Sequence, residues 1–312
     1  MEANNSDINN TIKNFKVIFT QLTLNISLYI NFVMLFTFFK KDSFREDTRY
    51  ILFAHMLLVD TFQLIFMDMS HLFFDLSILM PAGACMVVSM ILGSLSYNTP
   101  LTLTAMCLER YVAICMPLRH GQISTVRRTL KVILIIWLIG SVPSFRDFII
   151  VVATEAKKFY DERSFCSYEL MMRSSWQWYV RSVMAMLYFG IMLGTVTFTY
   201  VKIIGVARTV SADSSASKAR NTILLHTFQL VLCLAVLVSP FVEMAIFQIN
   251  QNIFTHVRYF NFITFNILPR CLSSFIYGVR DEKFRELFLF YMTFGLMKAV
   301  SKTSLKVASD NF

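Results

Sequence analysis

The chain has 312 residues, of which 56% are hydrophobic and only 16% charged, with 31 phenylalanines and a formal charge of +9. Soluble domains carry about 25% charged residues, so this composition points to lipid as the main solvent and excludes an ordinary soluble enzyme or nucleic-acid-binding domain. The positive charge is expected to be a topology signal together with an attraction to anionic membrane lipid.

The polar start, "MEANNSDINNTIKNFK", is expected to be an extracellular tail over 1–16. It has no basic region ahead of the first apolar run, so no cleaved signal peptide is expected. Asn4 and Asn9 open sequons and are candidate glycosylation sites, whereas the Asn25 sequon lies inside a span. Seven apolar runs follow, at 17–39, 50–74, 82–108, 130–153, 176–201, 219–249 and 256–278. A spanning helix needs about 20 residues, and no run shows the alternation of a membrane barrel strand. The expected fold is an all-α membrane protein, a bundle of seven transmembrane helices over 17–278. The segment 279–297 is amphipathic through Phe284, Leu287, Phe288 and Tyr291 and predicts a short interfacial helix, with a tail over 298–312.

Lysine and arginine set the orientation. The segments 40–49, 116–131, 202–220 and 279–312 together hold 18 of them. The opposite loops hold few, or balance theirs with acids, as 154–175 does with Glu155, Asp161, Glu162 and Glu169. The N-terminus is therefore expected outside and the C-terminus in the cytoplasm. Of six cysteines, only Cys85 and Cys166 fall on the oxidising side, which makes them the natural disulfide pair. No Cys-x-x-Cys or His-x-x-x-His spacing occurs, so neither a metal site nor a cofactor is expected. No nucleophile, base and acid set appears either, and no catalytic residue is assigned.

Polar residues at helical spacing mark the faces that lipid cannot satisfy. They are Asp60, Gln63, Met67 and His71 in the second span, and Leu92, Ser96, Thr99, Leu103, Met106 and Arg110 in the third. The sixth contributes His226, Gln229, Cys233, Val236, Pro240, Glu243 and Phe247, and the seventh Tyr259, Phe262, Asn266, Arg270, Ser273 and Tyr277. Most neutral members serve equally well as glue between helices. Asp60 and Arg270 are different, because a buried charge needs a partner and each is the obvious one for the other.

The third span closes on "MCLERYVAICMPLRH", Met106 to His120. This run resembles the Met-Ala-x-Asp-Arg-Tyr-Val-Ala-Ile-Cys-x-Pro-Leu-Arg-Tyr block of vertebrate odorant receptors, within the rhodopsin-like G-protein-coupled receptors. Cys107, Glu109 and His120 stand for its Ala, Asp and Tyr. "TYVKI" (Thr199 to Ile203) and "KARNTILLH" (Lys218 to His226) resemble further blocks of the same family. Asn31, Asp60, Trp137 and the Cys85 and Cys166 pair fall on superfamily positions. Fish and amphibian members are the most similar. There are departures: Ser273-Ser274 replaces the Asn-Pro pair of helix 7, Thr99 stands where odorant receptors carry a glutamate, and the helix 6 tryptophan is absent.

The resemblance implies a plasma-membrane receptor that binds a small odorant and activates a heterotrimeric G protein. Glu109, Arg110, Tyr111, Tyr200, His226 and Tyr277 would form the cytoplasmic switch. The outer half would hold the ligand among Leu92, Ser96, Tyr97, Met184, Tyr188, Phe241, Phe262 and Asn266, as small-molecule sites are mostly apolar. Arg146, Arg181, Arg258, Asp68 and Glu243 are expected to rim that half, with Arg181 and Arg258 available to an anionic, water-soluble odorant. At the level of Arg270 the superfamily encloses a sodium ion held by the helix 2 aspartate. Here the Arg270 guanidinium is expected to replace it on Asp60. A homodimer is compatible with the sequence, which does not specify one. The alternatives are a non-olfactory receptor of the same class for a peptide or metabolite, and a transporter or proton relay. The last should show inverted repeats and glycine-rich broken helices, yet the chain has no internal repeat and only nine glycines.

Overall fold

A computed structural model describes residues 2–209, scattered helical positions between 227 and 249, and residues 250–272 and 282–293. Five helices among these residues are long and apolar enough to cross a membrane, at Asn14–Lys40, Thr48–Asp75, Ala82–Cys115, Val126–Thr154 and Ser175–Val206. They coincide with the first five apolar runs. The sixth run, 219–249, lies mostly outside the described residues, and the seventh is described as far as 272.

Helix α1 runs without a break over Glu2–Lys40. The segment 1–16, expected as a tail, thus continues the first span as helix from Glu2. The reason is local: no glycine or proline interrupts 2–40, so nothing ends the helical backbone before the span begins. Asn4 and Asn9 sit on this extension.

A four-residue helix, α2 (Asp42–Arg45), joins α1 to α3 (Thr48–Asp75). The Asp47 side chain caps α3 by accepting from the Arg49 amide at 2.9 Å. Helix α4 (Ala82–Cys115) is the central element and packs on α3, α6 and α8. After the short α5 (Pro117–Ile123) comes α6 (Val126–Thr154), capped by Thr125. The outer loop then folds as α7 (Lys157–Asp161), a 3-10 turn over Tyr168–Met171, and a two-residue strand β2 (Arg163–Ser164). That strand pairs antiparallel with β1 (Met80–Pro81), Met80 opposite Ser164. Val151, Phe159 and Met171 bury themselves beneath this loop. Helix α8 (Ser175–Thr209) packs on α4.

Helices α4 and α6 approach closely through small residues, as membrane helices do. A Cβ placed on Gly93 would fall on Ser144 Oγ and lie 3.1 Å from Tyr168 Cε2. Gly93→Val is therefore expected to lower stability by about 1–3 kcal/mol through overpacking. Gly190→Ala, inside α8 at a glycine with nothing within 4 Å, should not lower the thermal unfolding midpoint.

The seventh span starts as α9 (Gln251–Asn261) and passes into a π-helical turn over Phe262–Ile267. Such turns are single-turn insertions found at functional sites. The last described helix, α10 (Glu282–Met292), falls within the predicted amphipathic segment. Its apolar face does more than lie at the interface. Phe284 is fully buried and meets the rings of Phe44 at 5.3 Å and Phe53 at 5.6 Å. Burying such a side chain stabilises the docked helix by about 1.5–3 kcal/mol.

Candidate functional site

The outer end is tied first by the Cys85–Cys166 disulfide, which anchors the second outer loop to the start of α4. The loop charges pair locally, with Arg173 Nε donating to Glu155 Oε1 at 2.8 Å.

Beneath the loop, α4, α6 and α8 enclose a polar cluster centred on Asp147, whose side chain is fully buried. Arg146 donates to Asp147 Oδ1 through Nε at 2.9 Å and through Nη2. Arg181 Nη1 donates to Oδ2 at 3.2 Å, and so does the Tyr168 hydroxyl at 2.8 Å. Burial pushes the Tyr168 phenol well above its ordinary range, so it stays protonated as a donor. The Arg181 guanidinium also lies 3.8 Å from the Tyr168 ring centroid. Tyr97 and Tyr188 meet edge to face at 5.4 Å beside this group. The Tyr188 hydroxyl donates to the Ile139 carbonyl at 2.8 Å.

Of the predicted pocket residues, Tyr97, Arg181, Met184 and Tyr188 thus come together on one side. Leu92 and Ser96 are half-buried on α4, and Ser96 Oγ accepts from Gln63 Nε2 at 2.9 Å. Phe262 lies on the other side, stacked on the His71 ring at 5.1 Å, and His71 in turn pairs with Asp75 at 2.8 Å. Asn266 is half-buried one helical turn before Arg270, and Phe241 lies outside the described residues.

The five charges expected to rim this half meet separate groups. Asp68 accepts from Gln21 at 2.6 Å, Glu243 accepts from Asn261 at 2.9 Å, and Arg258 lies 5.7 Å over the Phe254 ring. Arg146 and Arg181 close on Asp147. Sequence reasoning passed over Asp147 and Tyr168. The signal for Asp147 was present, since an acid inside an apolar run is a functional candidate by default.

At mid-depth, Asp60 is fully buried and accepts from Thr99 Oγ1 at 2.8 Å. Arg270 is 3% exposed, and its Nη1 donates to the Asn266 carbonyl. The Cys271 thiol, next to Arg270, meets Ser27 Oγ at 2.6 Å, and Leu24, Leu64 and Ile267 pack together beside it. These contacts bring α1, α3, α4 and the seventh span to one level.

At the inner end, Glu109 lies 3.8 Å from Arg110 Nε and 3.2 Å from His120 Nε2. Its carboxylate therefore faces the Arg110 guanidinium and the His120 ring, the latter from α5. The Tyr111 ring lies 5.7 Å from Phe198 of α8, and Tyr200 is half-buried on the same helix. His226 and Tyr277 lie outside the described residues.

Comparison with known proteins places these groups in context. Residues 30–277 match the 7 transmembrane receptor (rhodopsin family). The chain is 37% identical over 294 residues to Odorant receptor 131-2 of Danio rerio, covering 94% of this chain and 90% of that one. Olfactory receptor 1073 of Rattus norvegicus is 23% identical over 189 residues, 59% of each chain. Growth hormone secretagogue receptor type 1 of Rattus norvegicus is 39% identical over 67 residues, 22% of this chain and 18% of that protein.

Proposed function

We propose that this chain, which belongs to the rhodopsin family of seven-transmembrane receptors, is an odorant receptor that couples a small water-soluble odorant to a heterotrimeric G protein. The observation that carries this reading is the likeness to Odorant receptor 131-2 along nearly the whole chain. The basic loops support a plasma-membrane orientation with the N-terminus outside, where the Asn4 and Asn9 sequons would be open to glycosylation.

The mechanism starts in the outer half. An odorant seated among Leu92, Ser96, Tyr97, Met184, Tyr188, Phe241, Phe262 and Asn266 would touch α4, α8 and the sixth and seventh spans together. Its binding favours the state in which the inner half of the sixth span moves outward. At mid-depth, Asp60 and Arg270 form a buried ion pair completed by Thr99. This level does not suit a sodium ion, because a buried guanidinium already supplies the positive charge. At the inner end, Glu109 holds Arg110 in the resting state, and His120 competes for the same carboxylate. On activation Arg110 turns toward Tyr200 and the G protein, with His226 and Tyr277 lining the opened cavity.

The test is a cell-based cAMP response to a panel of water-soluble odorants. Arg110→Ala is expected to abolish the response at unchanged surface expression. A full response from that variant overturns the switch assignment. A response to peptides or metabolites with none to odorants supports a non-olfactory receptor instead.

A further inference from the structure

The cluster around Asp147 is short of one acceptor and one negative charge. Both carboxylate oxygens are already occupied, by Arg146, Arg181 and Tyr168. One acid faces two guanidiniums. Arg146 directs its Nη1 at the Met184 sulfur, 3.0 Å away, and a thioether is a weak acceptor. Tyr97 is 1% exposed, and its hydroxyl has no hydrogen-bond partner among the described residues. Its ring packs on Tyr188, one turn along α8 from the Met184 that Arg146 meets, which places it beside the same group. A buried hydroxyl without a partner and a buried surplus charge are both unfavourable. One monoanion relieves both at once.

We infer that Arg146, Arg181 and Tyr97 form a subsite for the carboxylate of a small monocarboxylate ligand. The inference rests on the odorant-receptor reading for the source of the ligand, and on the cluster for its chemistry. A cationic ligand does not fit, because the single acid is fully buried and its oxygens are taken. The arginine side chains are each 21% exposed, so their remaining donors stay reachable. Guanidiniums bind carboxylates through paired, charge-assisted hydrogen bonds. The surplus of one charge matches a singly charged anion, and the rings of Tyr97 and Tyr188 offer an apolar flank to its carbon chain.

The test uses the full-length purified receptor in lipid nanodiscs, with hexanoate, hexanamide, hexanol and sodium chloride as probes and thermal unfolding as the readout. Hexanoate is expected to raise the unfolding midpoint in a saturable way, while the amide, the alcohol and chloride do not. Arg146→Gln and Tyr97→Phe should each weaken hexanoate at least about tenfold, the scale of a hydrogen bond to a charged group. Tyr97→Phe removes one oxygen from a position with no partner, so it is expected to fold as the parent does. Equal shifts from hexanol, or the same shift from chloride, overturn the carboxylate subsite, as does unchanged affinity in both variants. Hexanoate binding without any cAMP response to odorants in cells leaves the subsite standing and overturns the odorant-receptor reading. A cAMP response confined to neutral odorants, with no hexanoate binding, does the reverse.

Discussion

Replacing Asp147 with Ala is expected to destabilise the protein by about 3–5 kcal/mol, the scale for removing one partner of a buried charge group. The substitution leaves the guanidiniums of Arg146 and Arg181 without their shared carboxylate and strips the Tyr168 hydroxyl of its acceptor. It also loosens the outer loop, because Tyr168 links that loop to α6. Asp147→Asn keeps an acceptor and removes the charge, so its cost should be smaller. The double variant Asp147→Asn with Arg181→Gln restores the charge balance and should recover part of the loss. Unfolding midpoints of the solubilised receptor, taken as a double-mutant cycle, check this. A midpoint for Asp147→Ala equal to the parent's would mean that the cluster has no structural role.

The second large effect is expected at Arg270. Arg270→Met leaves Asp60 buried with a hydroxyl donor from Thr99 but without a full positive charge. The expected cost is again about 3–5 kcal/mol. A distinctive result separates this from a simple packing loss. With the guanidinium gone, a sodium ion can take its place, so Arg270→Ser should make stability depend on sodium where the parent is indifferent. Unfolding midpoints in sodium and in choline buffers measure that dependence. A sodium-dependent parent, or an Arg270→Met variant as stable as the parent, sinks the Asp60–Arg270 pair.

Much of the architecture was legible because the signals are local and periodic. Apolar runs of spanning length reappear as the five long described helices, since lipid forces every backbone group into helical hydrogen bonds. The Cys85–Cys166 bond followed from topology, because only two cysteines face the oxidising side. Thr99 and Asp60 were each placed on interior faces by spacing, and their hydrogen bond joins those faces. The block around Glu109 and Arg110 pointed to the family to which the whole chain belongs.

The sequence by itself thus determined the bundle, its capped outer end and the family. The tertiary structure decided which charges meet. Arg146 and Arg181 are 35 positions apart and Tyr168 lies in a loop, so no helical period links them. The packing of α4 on α6, close at Gly93 and Gly140, and of α8 beside them gathers these groups on Asp147. The same holds for Phe284. Its amphipathic spacing predicts an apolar face, but not that Phe44, Tyr50 and Phe53 would provide the surface that buries it. Periodicity specifies the face a side chain leaves by. What lies opposite that face depends on which helices are neighbours, and that is a property of the folded bundle.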